Sequence, residues 1–115
     1  MQTTVLSGKR VSVIGLAREG TDLARFLVGE GARVLVNDVR PPEALADRLA
    51  ELDGLPIQFV LGGHPVDEVL AADILFVSPG VPPELPLLVE AATRGIPISS
   101  GTRLASASSR RVPFA

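Results

Sequence analysis

Five short stretches of the chain are apolar almost without interruption, at residues 10–14, 33–36, 57–61, 74–77 and 96–98. Apolar runs that are continuous rather than alternating are what a β-strand shows when both faces of its sheet are covered. Between these runs the period changes to that of a helix. Residues 20–29 place Leu23, Ala24, Leu27 and Val28 on one face and meet Gly29 and Gly31 as stop signals. Residues 42–52 begin with a proline and repeat Leu45, Leu49 and Leu52; residues 84–93 also follow prolines and close at Gly95. Residues 66–71 have room for one or two turns. Strand and helix alternating in this order predict an α/β fold, a Rossmann-like open parallel sheet of about five strands with helices on both faces and right-handed crossovers.

Length and composition narrow the class. A chain of 115 residues has the size of one domain, and no apolar run approaches the roughly 18 residues of a membrane span. No secretory signal is visible, so the expected setting is cytoplasmic with no membrane partner. The net charge of −2 argues against a nonspecific nucleic-acid binder. Cysteine is absent, which removes disulfides, thiolate catalysis and zinc–thiolate sites together. Lys9 is the only lysine, and the other ten of the eleven basic residues are arginine; a heat-adapted source and a GC-rich genome both account for that.

The candidate chemistry starts at "VSVIGLAREGTDLARFL", residues 11–27, whose centre is G-x-G-x-x-G with Ala17 in place of the second glycine. Gly15, Leu16, Ala17, Arg18, Glu19 and Gly20 then form a turn from the first strand into the first helix. Unpaired amides and the helix dipole there favour an anion by roughly 0.3–2 kcal/mol. A turn that only packs the helix on the strand is the alternative. Asp38 follows Gly20 by 18 positions, the place of the acid that accepts from ribose hydroxyls in nicotinamide-dinucleotide domains. That spacing favours NAD, whereas the Ala17 methyl takes space the pyrophosphate of NAD would use. Arg18 offers a cation to a phosphate, and Glu19 opposes an anion unless it points away. Two more loops reach the same edge of the sheet, "SPGVPP" at 78–83 and "LGGHP" at 61–65. His64 is the sole histidine and has no metal or triad partner pattern; its expected role is structural.

The segments "KRVSVIGLAREGTDLARFLVGEGARVLVNDVRPPE", "GGHP" and "ADILFVSPGVPPELPLLVEAATRGIPI" together resemble the amino-terminal domain of the muramyl ligases, in particular the UDP-N-acetylmuramoyl-L-alanine:D-glutamate ligases of peptidoglycan synthesis. The likeness runs from about Leu6 to Leu104. It implies a domain, here 1–111, that holds the uridine diphosphate end of UDP-N-acetylmuramoyl-L-alanine, with Gly15 to Gly20 at the diphosphate. It also implies Asp38, Val39 and Arg40 at the uracil, with Ser78, Pro79 and Gly80 lining the same cleft. Residues 112–115 would begin the linker to a central domain that binds ATP and magnesium, followed by a C-terminal domain for D-glutamate. The chain itself has no G-x-x-x-x-G-K-[ST] loop, so no catalytic residue, metal or cofactor is expected within it. Glu19 departs from the family's small hydroxyl residue before the last glycine of the turn; Thr21 is positioned to supply a hydroxyl instead. Gly101 and Arg103 stand where acidic residues are usual. Beside the ligase reading stand an NAD-binding domain of an oxidoreductase and a non-enzymatic regulatory domain of the same fold.

Overall fold

The computed structural model describes residues 6–100. Gly101, Arg103, the C-terminal end of the 1–111 domain and the linker at 112–115 lie outside the described residues. Five strands, β1 (Arg10–Ile14), β2 (Arg33–Asp38), β3 (Ile57–Leu61), β4 (Ile74–Val77) and β5 (Ile98–Ser100), form one sheet in the order β3-β2-β1-β4-β5. Every neighbouring pair is parallel. Between them lie α1 (Arg18–Gly29), a 3₁₀ segment (Pro42–Leu45) running into α2 (Ala46–Glu51), α3 (Val66–Val69) and α4 (Pro86–Thr93).

The continuous apolar runs fill two cores, one on each face. Val11, Val13, Val34, Val36 and Phe76 pack with Leu23, Ala24 and Leu27 of α1 and with Leu45 and Leu52. On the opposite face Ile14 and Leu75 pack with Val69, Leu70, Leu87, Leu88 and Ala91. Successive residues of β1 and β4 therefore serve different cores, which is why neither strand alternates with polar positions. The exception is Ser12, buried in β1, whose hydroxyl donates to the Val69 carbonyl at 2.7 Å and docks α3 on the sheet. The expected Rossmann-like α/β architecture, five parallel strands with helices on both faces, is the one observed.

Element bounds differ from expectation where tertiary bonds outweigh the apolar pattern. β2 runs two residues past Val36 because Asn37 and Asp38, although polar, are buried and hydrogen-bonded. The expected helix 42–52 is two pieces, broken at Leu45, whose φ of −118° and ψ of 17° leave the helical basin. The last strand is Ile98–Ser100 rather than 96–98, since the Ile96 amide donates to Ala91 and caps the end of α4. Helix α1 begins at Arg18, two residues earlier than expected, with Ala17 as its N-cap. Helix α4 starts at Pro86, the first-turn position where a missing N–H costs nothing, and α3 is a single turn.

Candidate functional site

In the strand order β3-β2-β1-β4-β5 the chain leaves β1 toward β2 on one side and later returns to place β4 on the other. The carboxyl ends of β1 and β4 are thus a topological switch point, where open α/β sheets leave a crevice. A cleft of about 310 Å³ lies there, walled by Ile14, Gly15, Ala17 and Glu19, by Asp38, Val39 and Arg40, and by Ser78, Gly80 and Val81. His64, Pro82 and Leu85 complete it.

The floor is the turn after β1. Gly15 has φ of 95°, in the left-handed region that favours glycine, and its amide donates to the Asn37 carbonyl at 2.8 Å. At Gly20 the reason is space: a Cβ there would stand 2.2 Å from the Gly15 carbonyl oxygen. The glycine that ends the motif therefore lets helix α1 touch the strand turn. The Ser78 hydroxyl donates to that same Gly15 carbonyl at 2.8 Å, tying the loop after β4 to the turn after β1. The first intrahelical bond of α1 runs from the Thr21 amide to the Ala17 carbonyl, and Ala17 supplies no side-chain cap. The amides of Arg18, Glu19 and Gly20 precede that bond and have no partner further back in the helix.

Asp38 organises the β2 side. Its Oδ2 accepts from the Leu16 amide at 2.7 Å and from Arg40 Nη2 at 2.8 Å. Oδ1 accepts from the Arg40 amide at 2.8 Å and from Arg40 Nε at 2.9 Å. Two oxygens with about four acceptor positions between them are thus fully engaged by the protein. Burial by itself pushes this carboxyl up, but the Arg40 guanidinium and the two amides more than offset that and lower it from 3.8 to about 2. Arg40 is raised in turn by its bond to Asp38. The guanidinium is held bidentate while half of the Arg40 side chain stays exposed, and Val39 beside it is 60% exposed.

Of the expected site residues, Gly15, Ala17, Glu19, Asp38, Val39, Arg40, Ser78 and Gly80 come together in the cleft. Leu16 is buried in the core and offers only backbone, and its amide is taken by Asp38. Arg18 and Pro79 are exposed and lie outside the cleft lining. Gly20 contributes packing. Thr21 is buried, and its hydroxyl donates to the Ala17 carbonyl at 2.9 Å; it does not stand in for the hydroxyl missing at Glu19. Glu19 lines the cleft and is exposed. Ile14, Val81, Pro82 and Leu85 were not singled out by sequence reasoning, although two of them belong to the "SPGVPP" loop. His64 also lines the cleft, held by Asn37. Among the described residues no group of three or more His, Cys, Asp or Glu side chains could hold a metal ion, and no helix is long and apolar enough to cross a membrane.

Comparison with known proteins shows the family to which this fold belongs. The UDP-N-acetylmuramoylalanine--D-glutamate ligases of Trichlorobacter lovleyi and Geobacter metallireducens are each 48% identical to the chain over 101 residues. Those matches cover 88% of this chain but 23% and 22% of the relatives, so the chain spans less than a quarter of their length. The corresponding ligase of Bdellovibrio bacteriovorus is 42% identical over 94 residues. Among solved structures, D-lactate dehydrogenase from Escherichia coli aligns over 83% of this chain and 29% of its own with a TM-score of 0.57 and 26% identity. Shikimate dehydrogenase from Aquifex aeolicus aligns over 84% and 43% with a TM-score of 0.53 and 18% identity, a likeness of fold alone. Residues 9–100 match the family described as Mur ligase MurD-like, N-terminal domain, and the chain belongs to that family as its N-terminal domain.

Proposed function

We propose that this domain holds the uridine diphosphate end of UDP-N-acetylmuramoyl-L-alanine for a cytoplasmic ligase that adds D-glutamate to the peptidoglycan precursor, in the service of cell-wall growth, shape and division. ATP and magnesium belong to a central domain and D-glutamate to a C-terminal one, both in the same longer chain; the 115 residues alone are not catalytic. The observation that carries the reading is the switch-point cleft, which Ala17 and Glu19 at the start of α1 line together with Asp38 and Arg40.

In this reading the first-turn amides of α1 receive the diphosphate, aided by the positive end of the helix dipole. The exposed face of Val39 and the clamped guanidinium of Arg40 receive the planar base, a surface suited to stacking. Asp38 acts through Arg40 and through the Leu16 amide. The nicotinamide reading asks more of Asp38, because its carboxylate would have to accept from ribose hydroxyls with acceptor positions already engaged.

Titration with UMP, with UDP-N-acetylmuramoyl-L-alanine and with NAD tests the proposal, on this chain and on the chain extended through the following domains. Binding of both uridine ligands, weakened by Arg40→Ala, is the expected result. Binding of NAD alone would overturn it.

A further inference from the structure

Asn37 sits at the end of β2 with no exposed surface. Its Nδ2 lies 2.8 Å from the Val60 carbonyl and 2.7 Å from the Gly63 carbonyl. Carbonyl oxygens only accept, so the edge of the amide that faces both must be the NH₂ group. The other edge, Oδ1, is therefore an acceptor, and its neighbour is Nδ1 of His64. That assigns the proton of the ring to Nδ1. In the neutral imidazole Nε2 is then left as the acceptor. Among the described residues His64 makes no other hydrogen bond and no ion pair, and it lines the cleft together with Asp38, Val39 and Arg40.

We infer that His64 contacts the bound nucleotide through Nε2, which accepts a hydrogen bond from a donor of the nucleoside portion, with Asn37 as the residue that positions the ring. The inference rests on the uridine nucleotide reading of the cleft. It explains why Asn37, a polar residue in the strand interior, is buried with all its hydrogen bonds made, to β3 and to the loop after it. It also gives "GGHP" a part in the site rather than only in the turn.

Because His64 is the only histidine, ¹⁵N spectra of the imidazole report on it without assignment. The free protein is expected to show Nδ1 protonated and Nε2 unprotonated. Saturation with UMP is expected to move the Nε2 resonance and leave Nδ1 nearly unchanged. His64→Ala, at a half-buried loop position, is expected to weaken UMP by about three- to tenfold, the worth of one hydrogen bond, and to lower the unfolding midpoint as the buried Asn37 Oδ1 loses its partner. The opposite tautomer, or UMP bound with Nε2 unmoved and His64→Ala unaffected, would overturn the inference while leaving the uridine reading in place. No UMP binding by wild type, either as this chain or as the extended one, would overturn both.

Discussion

The Leu16 amide donates to Asp38 Oδ2 across 2.7 Å, joining the turn after β1 to the end of β2 through a side chain buried to 4% exposure. Asp38→Ala leaves that amide without its partner and releases Arg40. The expected loss is about 1–3 kcal/mol of stability, read as a lower urea midpoint at unchanged slope. Arg40→Ala leaves the buried Asp38 carboxylate with backbone amides alone and is expected to destabilise as well. Equal and negligible effects of both would contradict the arrangement.

The same pair sets a pH dependence. The Asp38 carboxyl is lowered from 3.8 to about 2, so the folded state binds its proton less readily than the unfolded state. The stabilisation is present in full above the unfolded value and is lost as pH falls from about 4 through about 2. It amounts to about 2 kcal/mol. Unfolding curves between pH 5 and pH 2 measure it, and Asp38→Asn should flatten this part of the acid limb relative to wild type.

Two glycines of α1 behave oppositely. A methyl at Gly20 meets the Gly15 carbonyl at 2.2 Å, whereas one at Gly29 meets nothing within 4 Å. Gly20→Ala is expected to destabilise by about 1–3 kcal/mol as backbone is forced apart. Gly29→Ala is expected to be neutral or stabilising by up to about 1 kcal/mol, since alanine is the better helix former. Thermal unfolding of the two variants side by side checks the contrast.

Glu19, exposed at the start of α1, is one of the residues that line the cleft proposed to take a diphosphate. Glu19→Gln removes a like charge at nearly constant shape and is expected to tighten UDP about three- to tenfold. The gain should shrink as salt is added. Calorimetric titration at low and high salt is the check; weaker UDP binding by the variant would show that Glu19 helps rather than opposes the ligand.

The apolar runs at 10–14 and 74–77 were legible as strands because burial on both faces leaves a plain signature; the run at 57–61 was legible too, although as an edge strand it is only partly buried, and all three bounds agree with the structure. Asn37 and Asp38 were not legible as strand. Their burial is satisfied by Val60, Gly63 and Leu16, all at least 22 positions away, and nothing local to the sequence carries that. Asp38 read as an open acceptor although Arg40 is only two residues on, because nothing in the spacing says that the guanidinium turns back onto the carboxylate. The convergence of the glycine turn, the acid and the "SPGVPP" loop was legible because strand ends in a parallel sheet share one edge. Thr21 turned inward because a hydroxyl one turn into a helix reaches the carbonyl four residues back. His64 carried no sequence signal beyond being alone and standing in "GGHP", as the Asn37 that holds it is 27 positions away.

Whether the switch-point cleft takes a uridine diphosphate ligand is decided by amide chemical-shift mapping as UDP is added to the ¹⁵N-labelled chain. Saturable shifts are expected at Gly15–Thr21, Val39–Arg40 and Ser78–Val81, with the Arg10–Ser12 end of the sheet unmoved. Shifts confined to other surfaces, or a response to NAD at these positions with none to UDP, would contradict the assignment.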